Sequence, residues 1–74
     1  MTEITWIVYE ICFRGTLDPR WAGWFDGFTL SRLENGDTLL RGPIRDQAEL
    51  RGVLDKIANL NLQLISVNRV EHVD

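Results

Sequence analysis

The ten residues from Thr5 to Arg14, TWIVYEICFR, constrain the fold more than any other segment of the chain. They are rich in β-branched and aromatic residues, and too short and β-prone for a helix, so they predict a strand. Successive strand side chains point to opposite faces. One face is wholly apolar, with Ile7, Tyr9, Ile11 and Phe13; the other is half apolar, with Trp6, Val8, Glu10, Cys12 and Arg14. Such a strand is typical of the centre of a sheet.

A short helix is predicted after the turn at Gly15. Asp18 has the side-chain oxygen of an N-cap residue, and Pro19 suits the first helical position, where no N–H is needed. Three large rings follow at positions i, i+3 and i+4: Trp21, Trp24 and Phe25. We expect this spacing to gather them on one side of the helix, which Asp26 and Gly27 then end.

The next two strands form a hairpin whose register follows from the parity of its apolar residues. A two-residue loop would divide these residues between the two faces. A three-residue loop of residues 34–36, ending in a left-handed glycine, instead pairs Leu30 with Leu40. It also places Phe28 opposite Gly42, and it is the loop we predict. The opposite face of the hairpin then carries Thr29, Ser31, Leu33, Leu39 and Arg41.

The strongest helical signal lies between residues 46 and 60. Asp46 and Glu49 have the spacing of a capping box. Apolar side chains then repeat with helical spacing, and charged ones take the outer face: Leu50, Val53, Leu54, Ile57 and Ala58 against Arg51, Asp55 and Lys56. We expect Gly42-Pro43 to stop the preceding strand and Asn61 to end the helix in the left-handed conformation. Residues 62–67 are then the last strand.

This element order, β-α-β-β-α-β, predicts an α+β fold. Right-handed crossovers would place both helices on one face of a four-stranded antiparallel sheet of order 4-1-3-2, which is a ferredoxin-like sandwich. No linker or repeat interrupts the 74 residues, so residues 1–74 are expected to form one domain with a core at about 4–72.

Four groups of residues form distinctive motifs. They are Arg14-Gly15, Leu17-Asp18-x-Arg20-Trp21 with Trp24-Phe25, Gly42-Pro43, and Asp46-Gln47-Ala48-x-Leu50. Together they resemble a family of small stand-alone bacterial proteins of uncharacterised function, over most of the chain. At Asn61 such sequences commonly carry Gly, a change compatible with the same helix end. The resemblance implies the same fold and no assigned reaction, ligand or catalytic residue.

Charge and rare residues argue against several classes of function. With 8 Lys and Arg against 11 Asp and Glu, the net charge of −3 gives no long-range attraction to nucleic acid or anionic lipid. Cys12 is the single cysteine and His72 the single histidine, so neither an internal disulfide nor a structural zinc site is expected. No apolar run approaches the roughly 20 residues of a membrane span, and the first residues lack a basic signal-peptide region. A cytoplasmic location is therefore expected.

The residue types that carry chemistry on this topology are missing or explained by structure. The loop after the first strand lacks the paired cysteines of metal-carrying domains, and Trp6 alone does not make the aromatic platform of an RNA-recognition domain. Cys12 is interpreted as a small apolar residue, and Asp18 with Arg20 as a capped helix start. No Ser-His-Asp, Cys-His or paired-carboxylate set can be assembled, so no enzymatic activity, cofactor or metal is expected.

Two hypotheses of function remain. The first is a non-enzymatic module that forms a homodimer, or binds another protein, through the uncovered sheet face, because an apolar patch on a small protein marks a binding surface. Its candidate interface is Trp6, Val8, Glu10, Cys12, Leu39 and Arg41. The alternative is a small-ligand sensor resembling ACT-type regulatory domains, with the loop of residues 14–17 beside the ligand. Its candidate groove is Arg14, Gly15 and Trp24.

Overall fold

The computed structural model describes residues 7–25 and 27–70, apart from the side chains of residues 19 and 22. The elements are β1 (Ile7–Phe13), a 3-10 helix (Pro19–Phe25), β2 (Thr29–Arg32), β3 (Thr38–Ile44), α1 (Gln47–Asn59) and β4 (Leu64–Val70). Within these ranges the chain has an α+β fold with one four-stranded antiparallel sheet and one α-helix. Trp6 of the candidate interface and His72 lie outside the described residues.

The sheet has the predicted strand order, β2-β3-β1-β4. β1 is central and antiparallel to both of its neighbours, so that Ile11 pairs with Leu40 of β3 and with Val67 of β4. Each connection through a helical element therefore crosses over one strand. β1, which carries apolar residues on both of its faces, is therefore a central strand, as predicted.

The core lies between the sheet and the two helical elements. Ile11, Phe13 and Leu40 are fully buried, and they pack with Val53 and Ile57 of α1. Phe25 of the 3-10 helix joins the same cluster. The predicted parity of β1 is thus confirmed, because Ile11 and Phe13, the two buried residues of the strand, both belong to its apolar face.

The first helical element differs from the prediction, since residues 19–25 form a 3-10 helix and not an α-helix. Seven residues with Gly23 in the middle are too few for a stable α-helix. A 3-10 helix has three residues per turn, so Trp21 and Trp24 fall on one side, while Phe25 is rotated by about 120°. The expectation that all three rings share a side is therefore wrong: Phe25 is buried and Trp24 is exposed.

The hairpin between β2 and β3 has the predicted register and loop. Leu30 pairs with Leu40, and the Leu33 N–H donates to the carbonyl of Asp37 across the loop. The Gly36 N–H donates to the Leu33 carbonyl, and Gly36 has φ of +92°. Residues that have a side chain rarely adopt this backbone conformation, which is why a glycine ends the three-residue loop.

The bounds of β3 and β4 differ from the prediction. β3 continues through Gly42 and Pro43, which pair with Tyr9 and Val8 of β1. Pro43 is tolerated because the described pairing of β2 with β3 ends at Arg41, so the proline lies where β3 has one neighbour. β4 covers 64–70 and not 62–67.

Local chemistry sets both ends of α1. The Asp46 side chain accepts from the Glu49 N–H at 2.8 Å, while Glu49 Oε1 accepts from the Arg45 N–H at 2.9 Å. At the other end Asn61 has φ of +60°, and its N–H donates to the Ala58 carbonyl. The predicted N-cap and left-handed end are confirmed, and residues 62–63 become the link to β4.

Candidate functional site

The open face of the sheet is the face opposite the core. Strand register arranges its side chains in three rows across the strands: Val70, Val8 and Pro43; then Asn68, Glu10, Arg41 and Thr29; then Ser66, Cys12, Leu39 and Ser31. Because α1 and the 3-10 helix send their buried side chains to the other face, no described helix covers these rows. The open face therefore has apolar residues at both ends and charges in its middle row.

An ion pair occupies the middle row. Arg41 Nε lies 3.7 Å from Glu10 Oε2, and the two residues are direct cross-strand partners. Their side chains are 53% and 34% exposed, so the pair stabilises the fold by less than about 1 kcal/mol. Arg14 does not join this pair, because it follows β1 and a strand rise of about 3.3 Å per residue places it about 13 Å from Glu10.

Cys12 lies half-buried in the third row, beside Leu39 and Ser66. Partial burial raises the pKa of its thiol above the ordinary value, and the negative charge of Asp37 raises it further. Nucleophilic cysteines need the opposite environment, in which positive charge lowers the thiol pKa. The thiol is therefore protonated at neutral pH, and its surroundings are those of a packing residue.

We expect Cys12 to react more slowly with iodoacetamide than a free cysteine does at pH 7–8, with a rate that rises only at higher pH. Because the folded pKa is raised, this group stabilises the fold below the ordinary thiol pKa, and the contribution is lost as pH rises through the folded pKa. Asp37→Asn keeps a hydrogen-bond acceptor but removes the negative charge. It should therefore lower the pKa of the Cys12 thiol only part of the way to the ordinary value, because the partial burial remains. An alkylation rate equal to that of the unfolded chain would contradict this account.

The loop after β1 is tied to the hairpin. The Thr38 hydroxyl donates to the Gly15 carbonyl at 2.6 Å, and the Gly15 N–H donates to Asp37 Oδ1 at 3.3 Å. Gly15 has φ of +83°, and the Arg14 N–H donates to the Gln63 carbonyl at 2.7 Å. These predicted groove residues thus have structural bonds at the end of β1.

Asp18 and Arg20, at the start of the 3-10 helix, are bonded to each other. Asp18 Oδ1 accepts from the Arg20 N–H at 2.9 Å, and Asp18 Oδ2 lies 3.1 Å from Arg20 Nη2. These bonds to Arg20 lower the pKa of the Asp18 carboxyl. The carboxylate is therefore a cap, as its position before Pro19 predicts.

The Trp24 groove is a cavity of about 580 Å³ between the end of the 3-10 helix and α1. Its lining is Gly23, Trp24, Phe25, Gly27, Phe28, Pro43, Glu49, Gly52, Val53 and Lys56. Arg14 and Gly15 do not line it. They follow the last residue of β1, whereas Pro43 pairs with Val8 near the first, so the structure separates the three predicted groove residues.

Lys56 and Gly52 are groove residues that the sequence reasoning did not identify. Lys56 was assigned to the solvent face of α1, but its Nζ donates to the Trp24 carbonyl at 2.7 Å. The available signal was spacing, since positions 49, 52, 53 and 56 lie on one side of a helix. This side of α1 can be recognised as part of a groove only when the position of the 3-10 helix is known.

Two further properties concern the residues that the structure describes. No three His, Cys, Asp or Glu side chains among them are grouped as a metal site would require. None of their helices is both long and apolar enough to span a membrane.

Comparison with known proteins identifies a family and leaves the activity open. The family model of a domain of unknown function, DUF8691, matches residues 8–68. The chain belongs to this family. No match was found among curated proteins or solved structures. The DUF8691 match begins in β1 and ends in β4, so it includes the Trp24 groove and, apart from Val70, the described open face.

Proposed function

We propose that this DUF8691 protein is a non-enzymatic module that forms a homodimer through the open face of its sheet, in the cytoplasm. The observation that supports the proposal is the half-apolar face that no described helix covers. Val8, Cys12 and Leu39 are only half-buried there. Contiguous apolar surface on a small domain is typical of an interface. The proposal also includes Trp6, which strand parity assigns to the same face, and a full ferredoxin-like arrangement with the 3-10 helix in the place of the first helix.

A second copy is the partner that the pattern of rows favours. A two-fold axis that lies in the interface, parallel to the strands and between β1 and β3, would place Glu10 of one copy opposite Arg41 of the other. The same operation would place the row of Val8 on the row of Val8, and the row of Cys12 and Leu39 on its own counterpart. Apolar residues then meet apolar residues at both ends, and the charges are complementary in the middle.

The size of the face determines how strong such a dimer can be. Four strands lie about 4.8 Å apart. Three of them are seven residues long and β2 has four, so at about 3.3 Å per residue the face measures at most about 19 by 23 Å. Two such faces bury less than the roughly 1,200 Å² of a standard interface. We therefore expect a dissociation constant of about 1 µM or weaker, with monomer and dimer in equilibrium.

Sedimentation velocity between about 10 µM and 1 mM measures this equilibrium. We expect the mean mass to rise with concentration, and Arg41→Glu to weaken the dimer at least about tenfold, because it places acids together. The double swap of Glu10→Arg with Arg41→Glu should restore it. Arg51→Glu on the outer side of α1 is the matched control and should leave it unchanged. A mass that stays monomeric at every concentration would overturn the proposal.

Edge pairing through β4 is the competing geometry. Leu64 and Ile65 on this edge strand are 44% and 48% exposed, and an exposed apolar edge can pair with another strand. However, the register shift opposite Cys12 and Phe13 leaves Ile65 as an unpaired bulge residue, which interrupts such pairing. Ile65→Lys distinguishes the geometries, because it should dissociate an edge-paired dimer and spare one formed by the open face.

We also propose small-ligand binding as a second function, at the Trp24 groove and not at the loop of residues 14–17. In the loop of residues 14–17, Arg14 and Gly15 have structural bonds, and Thr16 and Leu17 line a cavity of about 230 Å³. The cavity beside Trp24, at about 580 Å³, is larger and has an exposed ring. A ligand role is therefore supported at the Trp24 groove.

A further inference from the structure

We propose that the Trp24 groove binds a small planar carboxylate, that is, an aromatic acid. This inference rests on the ligand-binding proposal, and Pro43 is the described residue that the groove shares with the open face. A volume of about 580 Å³ lies within the range of small-molecule sites.

Aromatic side chains provide the walls on which a planar ligand can stack. Trp24 is 41% exposed, although its neighbour Phe25 is buried. The Trp21 ring contacts it edge to face, with centroids 5.0 Å apart and an interplanar angle of 74°. This contact fixes the orientation of the exposed ring. Phe25 and Phe28 also line the cavity, so three aromatic residues border the space that the ligand would fill.

Glycine keeps the facing walls open. Gly52 lies in the middle of α1, where glycine destabilises a helix relative to alanine. Nothing lies within 4 Å of the Cβ that an alanine would add there, and the same holds for Gly23 of the 3-10 helix. Close packing therefore does not require either glycine. Gly23 and Gly52 both line the cavity, and larger side chains at these positions would fill it.

The charges of the groove favour an anion. Lys56 Nζ donates one of its three N–H groups to the Trp24 carbonyl at 2.7 Å, which holds the ammonium at the edge of the cavity. Glu49 is already engaged: its Oε1 accepts from the Arg45 N–H, and its Oε2 lies 3.6 Å from Arg45 Nε. Among the described lining residues, an ammonium with two donors to spare thus lies about two turns along α1 from a carboxylate that Arg45 neutralises. An apolar ring with a carboxylate at one end matches this arrangement.

Titration with three naphthalene probes tests the inference, with heteronuclear NMR of the Trp24 indole N–H as the readout. The probes are naphthoate, the neutral naphthamide and the cationic naphthylmethylammonium. We expect naphthoate to bind at least about tenfold more tightly than either of the others. Lys56→Gln should reduce naphthoate to the affinity of naphthamide, and Lys56→Arg should retain most of the preference.

Gly52→Leu should abolish the indole shifts, because leucine fills the groove and is a good helix former. Arg51→Leu adds the same side chain one position away, outside the groove, and should leave binding intact. Equal affinity for all three probes, or naphthoate binding that persists in Gly52→Leu, would overturn the inference. The sedimentation experiment is a separate measurement, so failure of the dimer and failure of the ligand site are distinguishable.

Discussion

Replacing Phe13 with alanine is expected to lower the free energy of unfolding by about 3–5 kcal/mol. Among the residues that the structure describes, Phe13 is the largest fully buried side chain, and its ring packs in the cluster that joins the sheet to α1 and the 3-10 helix. A domain of 74 residues has a total stability of about 4–11 kcal/mol. The variant should therefore lose at least about a quarter of its stability, and all of it if the total is at the lower end. Denaturation by urea, monitored by far-UV circular dichroism, measures this loss.

Cys12→Ala is the matched control, since Cys12 precedes Phe13 in the same strand and points to the open face. We expect it to change the free energy of unfolding by less than about 1 kcal/mol. The contrast between the two neighbours tests strand parity directly. Equal losses at the two positions would mean that both faces of β1 are buried, and the open face would no longer exist as a binding surface.

Gly42→Ala is the second substitution with a large expected effect, a loss of about 1–3 kcal/mol. A Cβ at this buried position would lie 2.7 Å from Cγ and 2.9 Å from Cε2 of the Phe28 ring, and closer still to Cδ2. Such separations are shorter than any van der Waals contact, so the ring must move away from the sheet. Thermal unfolding should show a melting temperature lower by roughly 4–8 °C for each kcal/mol.

A double-mutant cycle with Phe28→Ala assigns this loss to the ring. In that background Gly42→Ala should be nearly neutral, with a coupling of about 0.5–3 kcal/mol between the two sites. Gly52→Ala should change the free energy of unfolding in the opposite direction. Its added Cβ meets no atom within 4 Å, and we expect about 1 kcal/mol of stabilisation. If Gly42→Ala were as harmless as Gly52→Ala, the predicted placement of Phe28 over Gly42 would be wrong.

The sequence predicted those parts of the fold that depend on periodicity and local chemistry. Parity identified Ile11 and Phe13 as core residues, and it distinguished the three-residue hairpin loop from the two-residue one. The side chain of Asp46 and the left-handed Asn61 set the ends of α1 through bonds within a few residues. Each of these features needs only near neighbours, so the pattern of residue types was sufficient.

The sequence was a poorer guide to the candidate sites. The uncovered face of β1 and β3 followed from alternation, but Trp24 was grouped with Arg14 and Gly15, although the structure separates them. The link between Lys56 and the Trp24 carbonyl joins residues 32 positions apart. A spacing rule within one helix does not reveal a partner at that distance.

By itself, the sequence determined the strand order, the central place of β1, the hairpin register and both ends of α1, because period and capping act over a few residues. The tertiary structure alone decided that residues 19–25 form a 3-10 helix, that β3 continues through Pro43 and that a groove lies beside Trp24. Those outcomes depend on which surfaces meet. A segment too short for a stable α-helix takes the 3-10 pitch with Phe25 in the core cluster, and a proline stays in a strand where a second neighbour is missing. Contacts between segments far apart in the chain set both conditions.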